Sequence, residues 1–339
     1  MKETLNNARQ LMKGFCRVCP VCDGRACAGE VPGMGGLGSG RAFGANLAAL
    51  ARYRLNMRLL HAVEAPDTQI TLLGKSLSMP VLAAPIGGVS FNMGGQVSEE
   101  AYIEAVIGGC AEEGTLGGVG DGVPDFIHQS GYAAIKARGG TGIPFIKPWE
   151  AAEFEAKLHK ALDTGADLIG MDVDAAGLIT LKLMGRPVAP KSPEKLRQII
   201  SRVPGKFILK GIMTVADAQS AVEAGAHAIV VSNHGGRVLE HTPGAAEVLP
   251  EIARAVKGRI AILADGGVRS GGDVLKLLAL GADAVMIGRP VAIAAMGGLQ
   301  AGVRKYLQQI RSELTAAMVL TGTMSASSVT SDILRPATE

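Results

Sequence analysis

From residue 79 onward the chain alternates between short apolar runs and longer segments with helical periodicity. The runs fall at 80–85, 115–120, 144–149, 168–174, 207–211, 228–233, 260–267 and 284–290, bounded by Gly, Pro or Asp. Between them, residues 99–113, 131–138, 150–165, 193–203, 215–224, 245–256 and 272–280 read as helices, and a last helix includes 318–320. A short unbroken apolar run suits a strand buried on both faces, as in a parallel sheet. Helix-to-strand joins repeat a phrase, in Thr164-Gly-Ala-Asp167, Glu223-Ala-Gly-Ala226 and Leu280-Gly-Ala-Asp283. Gly there closes a helix in the left-handed conformation. Regular alternation of strand and helix implies parallel strands joined by right-handed crossovers. Eight such units predict an α/β fold of the (β/α)8 TIM-barrel kind rather than an open sheet. A dinucleotide-binding sheet would need G-x-G-x-x-G after its first strand, and Pro85-Ile-Gly-Gly-Val does not supply it.

The residues before the repeat predict an extension that is Cys-rich and partly helical. We divide the chain into a Cys/Gly-rich extension at 1–45 and a barrel at 46–339. The barrel opens with a leading helix at 46–60, where Leu47, Leu50, Ala51, Tyr53, Leu55 and Leu59 recur at mostly helical spacing. The glycine-rich stretch 32–44 lacks the Gly-Lys-Ser/Thr ending of a phosphate loop and reads as a flexible connector. Four of the five cysteines, Cys16, Cys19, Cys22 and Cys27, fall within twelve residues. In a cytosolic chain such density points to zinc or an iron–sulfur cluster rather than disulfides. The C-x2-C-x2-C start resembles a bacterial ferredoxin run, although the fourth interval is longer. Tetrahedral zinc and free redox-active thiols stay open. Cys110 sits in a helical pattern and reads as core.

Composition adjusts this picture only slightly. Hydrophobic residues are 47%, charged residues 19%, and there are 46 glycines, as suits an α/β fold with many tight turns. A net charge of +3 gives no support for a nucleic-acid partner. No run of eighteen apolar residues predicts a membrane span, and the N-terminus lacks the apolar core of a signal peptide. A cytoplasmic protein is the expectation.

In a barrel, chemistry sits at the C-terminal ends of the strands. There the sequence places Ala84, Pro85 and Ile86, then Lys147, Asp172, Asp174 and Lys210, then Ser232-Asn-His-Gly-Gly-Arg237. The last supplies a base, a flexible turn and a fixed cation. A charge buried alone in a pocket is costly, so Lys210 and Asp174 should find partners. The loops after the seventh and eighth runs carry Asp265-Gly-Gly-Val-Arg269 and Gly288-Arg289-Pro290. Backbone N–H groups at Gly266, Gly267 and Gly288 can approach an anion, while Arg269 and Arg289 supply charge. These two loops of a barrel commonly hold phosphate, so a phosphorylated cofactor or substrate is expected.

At these residues the chain resembles the FMN-dependent α-hydroxy acid oxidases and dehydrogenases, the family of glycolate and lactate oxidases. The resemblance rests on Leu209-Lys-Gly-Ile212, Ser232-Asn-His-Gly-Gly-Arg237, Asp265-Gly-Gly-Val-Arg269, 280–290 and 77–85. It implies FMN as cofactor and a small 2-hydroxy acid, similar to L-lactate or glycolate, as substrate. It also implies a homo-oligomer, with oxygen or an electron-carrier protein as acceptor. His234 would be the base, with Asp174 as its partner. Arg237 would take the substrate carboxylate, and Lys210 would lie near flavin N1/O2. Asp265 would meet the ribityl chain. Arg269, Gly288, Arg289 and the neighbouring N–H groups would hold the phosphate, and Ala84, Pro85 and Ile86 would run along the ring. The chain departs from the family at Lys147, where a substrate-binding tyrosine is usual, and at Asp172, where a threonine is usual. Lys147 could replace the tyrosine as a carboxylate donor, or pair with Asp172. Two other readings stand beside this one: an isomerase of the type 2 isopentenyl diphosphate isomerase kind, whose members lack the Ser-Asn-His-Gly-Gly-Arg sequence, and a non-catalytic redox sensor.

Overall fold

The computed structural model describes residues 1–178, 181 and 184–337. Eight parallel strands close into a barrel in sequence order. They are β4 (Val81–Ile86), β5 (Gly117–Val119), β6 (Ile143–Ile146), β7 (Leu168–Asp172), β8 (Lys206–Ile212), β9 (Ala228–Val231), β10 (Ala261–Ala264) and β11 (Ala284–Ile287). Each expected run overlaps one of them, with β4, β6 and β8 reaching a residue beyond it. The ring shuts where β11 pairs with β4, Val285 opposite Val81 and Ile287 opposite Ala83. The strands are buried almost throughout, which is why they read as apolar runs without alternation.

Before the barrel come α1 (Lys2–Leu11), α2 (Arg41–Ala51), β1 (Tyr53–Leu55) and a hairpin, β2 (Ile70–Leu72) and β3 (Lys75–Leu77). Around the barrel lie α3 (Val89–Asn92), α4 (Glu99–Glu112), α5 (Phe126–Ala137), α6 (Ala151–Leu162), α7 (Pro193–Ile200), α8 (Val215–Glu223), α9 (Ala245–Val256), α10 (Gly271–Ala279) and α11 (Arg289–Thr321). A final strand, β12 (Leu334–Pro336), pairs antiparallel with β1.

Three local expectations are corrected. The leading helix runs over Arg41–Ala51, not 46–60. It starts after Gly40, which takes the left-handed conformation, and gives way to β1, whose partner lies at the far end of the chain. The helix expected at 131–138 begins five residues earlier, at Phe126. The glycine-rich stretch is no free connector: its backbone is tied to the barrel, with Leu37 N donating to Gly236 O at 2.8 Å. Cys110 is fully buried in α4, as expected.

Candidate active site

The register of β8 against β9 shifts between Lys210 and Ile212. Gly211 sits at that irregularity with φ +106°, and a Cβ there would stand 2.5 Å from Asp174 Cγ. Glycine therefore lets the 3-10 turn after β7 lay Asp174 against the end of β8. Lys210 Nζ then faces three carboxylates: Asp265 at 3.7 Å, Asp172 at 3.9 Å and Asp174 at 4.0 Å. It also donates to Ser232 Oγ at 3.0 Å. Burial alone would favour the neutral amine, but the three carboxylates outweigh it and raise the Lys210 pKa. The expectation that this lysine finds partners holds.

His234 ends the buried run of β9 in the left-handed conformation, φ +56°. Strain of this kind in a non-glycine residue needs a surrounding structure that fixes it. Its N–H bonds Ser232 Oγ at 3.1 Å, and its Nδ1 meets Asp174 Oδ1 at 2.9 Å. Burial pushes the Asp174 carboxyl up, but the charges of His234 and Lys210 prevail and hold it below the usual range. At Asp265 burial prevails and raises the carboxyl, with Lys210 offsetting part of the effect.

A residue the sequence reading passed over supports this loop. Asn46 of α2 is buried; its Nδ2 donates to Asn233 Oδ1 at 2.8 Å and its Oδ1 accepts Ala245 N at 3.0 Å. Asn233 Oδ1 also accepts Gly236 N at 3.1 Å. An Asn buried in a helix that otherwise reads as apolar was the available signal.

One cavity gathers Ala84, Pro85, Ile86, Lys147, Lys210, His234, Arg237, Asp265, Gly266, Gly267, Arg269, Gly288 and Arg289. Asp174 stands behind it, reached through His234 and Lys210. Lys147 and Asp172 both line it, and their charges approach to 4.0 Å, so Lys147 faces the cavity and pairs with Asp172 at once. Trp149 is fully buried in the core and gives its Nε1–H to Asp121 Oδ2 at 2.5 Å.

The glycine-rich stretch lines the cavity through Pro32 and Met34, with Val31 just before it. Its carbonyls engage two arginines. Arg237 Nη1 donates to Gly33 O at 2.6 Å and Gly35 O at 3.1 Å, and Nη2 to Asn92 Oδ1 at 3.0 Å. Arg289 donates to Met34 O, Gly235 O and Gly35 O at 2.8, 3.0 and 3.0 Å and lies over the Phe43 ring at 4.2 Å. Burial lowers the Arg289 pKa to about 9, with Arg237 and Arg269 adding repulsion; burial also lowers that of Arg237. Arg269 keeps a buried Nε with no hydrogen-bond partner.

The four N-terminal cysteines lie outside this cavity. They line a smaller one beside it, with Arg289 and Met34 forming part of both walls.

Comparison with known proteins agrees with this geometry. A family model described as FMN-dependent dehydrogenase matches residues 33–180 and 179–336. The chain is 31% identical to 2-hydroxyacid oxidase 2 of Bos taurus over 321 residues, covering 86% of this chain and 88% of that protein. It is 52% identical to an L-lactate dehydrogenase of Xanthomonas campestris pv. campestris (strain B100) over 130 residues, 38% of this chain and 34% of that protein. A crystal structure of mandelate oxidase superposes with a TM-score of 0.81 at 28% identity, covering 99% of this chain and 97% of that one. None of these relatives is an isomerase. With an eight-stranded barrel and relatives of this kind across its length, the chain is an enzyme of the FMN-dependent dehydrogenase family, akin to the 2-hydroxy acid oxidases.

Proposed function

We propose that this enzyme oxidises a small 2-hydroxy acid to the 2-oxo acid, with His234 as the base. The observation that carries the reading is the His234–Asp174 pair at 2.9 Å, at the edge of a cavity with a buried lysine in its wall. Removing two electrons and two protons needs a base, a carboxylate anchor and an electron sink within a few ångströms of one another.

The residues present fit FMN. Asp265 Oδ1 and Arg269 Nε are buried in the cavity without partners, an acceptor and a donor awaiting a polar ligand. Gly288 leaves a cradle: a Cβ there would lie 3.3 Å from Ile86 Cδ1 and 3.7 Å from Ala84 Cβ. Arg269, Gly288 and Arg289 would hold the phosphate, Asp265 the ribityl hydroxyls, and Ala84, Pro85 and Ile86 the ring. Bound FMN supplies the two-electron acceptor.

The chain's own groups do the rest. His234 Nε2 takes a proton from the bound acid, and Asp174, hydrogen-bonded at Nδ1, stabilises the resulting imidazolium. Lys210 sets a fixed positive charge in the cavity wall where negative charge gathers. Arg237 and Lys147 bind the substrate carboxylate, Arg237 by exchanging contacts with the carbonyls of Gly33 and Gly35. The electrons pass on to oxygen or to an electron-carrier protein.

The test is anaerobic mixing of purified flavoprotein with L-lactate, glycolate or mandelate. Bleaching of the oxidised flavin by one of them is expected, and His234→Ala should abolish it while keeping the flavin. Unchanged bleaching in that variant, or no response to any 2-hydroxy acid, would overturn the reading.

A further inference from the structure

Four of the five cysteines have no part in that chemistry. Cys16, Cys19, Cys22 and Cys27 come from one turn-rich segment and line one small cavity. All four are free thiols, and all are partly buried. The segment is shaped to face them inward. Val18 is left-handed at φ +46°, and its N–H points at Cys16 Sγ, 3.4 Å away. Gly24, at φ +81°, lies where a Cβ would stand 2.4 Å from the Phe43 ring, so only glycine lets the loop close there. Arg269 Nη2 donates to Cys22 Sγ at 3.4 Å, and Arg289 forms part of the cavity wall.

The surroundings of the sulfurs bear on which metal suits them. A zinc–sulfur bond of about 2.3 Å puts the sulfurs of a tetrahedral site roughly 4 Å apart. Among the described residues, the only three ligand atoms lying within 4.8 Å of one another belong to Asp172, Asp174 and His234. The four cysteines do not form a group that compact. A polynuclear cluster ties each thiolate to a different iron and so spreads the sulfurs more widely. An N–H and an arginine aimed at sulfur, with a second arginine in the wall, suit such a cluster, because several thiolates bring excess negative charge into a partly buried site. The C-x2-C-x2-C-x4-C order lets three ligands come from one tight loop and the fourth from the turn after it.

We propose that Cys16, Cys19, Cys22 and Cys27 bind an iron–sulfur cluster, seated against Arg289 and Met34, the residues that also wall the flavin cavity. The proposal stands independently of the substrate reading.

Full-length protein purified without oxygen tests it by iron, zinc and acid-labile sulfide analysis, with FMN extracted and quantified separately. About four irons and four sulfides per chain are expected, as for a four-cysteine cubane, with broad visible absorption that dithionite bleaches. Cys22→Ala and Cys27→Ala should each lose most of the iron while keeping the wild-type circular dichroism. Cys110→Ala, in the core of α4, should retain it. One zinc per chain without sulfide, or four titratable thiols with no metal, would overturn the proposal, as would full iron in both ligand variants. Flavin without iron sinks this proposal alone, whereas iron without flavin sinks the FMN reading alone.

Discussion

Lys210 is the cation on which three buried carboxylates depend. A buried charge left without its partner typically costs 3–5 kcal/mol. Lys210→Met should therefore destabilise the apoprotein by about that much, read from the shift of its denaturant midpoint, and Lys210→Met/Asp172→Asn should recover part of the loss. No recovery would mean the lysine acts through packing alone. Asp174 makes a second prediction, in pH. Its folded-state pKa lies below its ordinary value, despite burial, because His234 and Lys210 carry charge beside it. Its contribution to stability is thus complete above the ordinary carboxylate range and is lost as pH falls through the depressed value. Asp174→Asn should be less stable near neutrality and should lose less stability on acidification than the parent. Parallel acid-unfolding curves would contradict this. The identities of these residues were legible in the sequence because each follows an apolar strand. Their mutual arrangement was not, since it depends on Gly211 allowing the turn after β7 to meet the end of β8.

At the level of elements, the loop carrying His234 is held in place by α2. Gly236 has φ +76°, and a Cβ on it would stand 2.3 Å from Phe43 N and 2.7 Å from Ala42 C, backbone that cannot swing aside. Gly225 has φ +86° and nothing within 4 Å. Alanine at Gly225 should cost only the left-handed strain, about 1–2 kcal/mol. Alanine at Gly236 should cost more, push α2 off the loop and lower kcat by displacing His234. Equal losses of stability at the two positions would show that the close approach is unimportant. The elements themselves divide by how local their causes are. The eight barrel strands are visible as apolar runs because burial on both faces is written into each run separately. The end of α2 at Ala51 was hidden, because β1 forms only by pairing with β12, nearly the whole chain away. The hairpin of β2 and β3 offered a fainter local sign: Leu73-Gly74 turns with both residues at positive φ, yet only Gly advertises that conformation in a sequence.

For the whole molecule, the question is whether residues 1–45 are an appendage or part of the fold. The glycine-rich stretch supplies carbonyls to Arg237 and Arg289 at the cavity, and α1, at the other end of the extension, packs on α11. Thr4 and Ala8 are buried where α1 crosses α11. The crossing works because Gly297 brings the two backbones together: a Cβ there would lie 1.9 Å from Thr4 O. Just beyond, α11 is interrupted at Leu299, φ +47°. Gly297→Ala should therefore loosen α1 without touching a strand. Hydrogen exchange should speed up across 2–11, while β4 to β11 keep their protection. Because α1 leads through the cysteine segment into the glycine-rich stretch, which holds Arg237 and Arg289, the variant should also raise KM for the hydroxy acid more than it lowers kcat. If α1 exchanges faster and KM does not move, the extension and the active site are mechanically separate. A KM that rises with the barrel's protection intact would mean that the N-terminal strap completes the substrate cavity from outside the barrel.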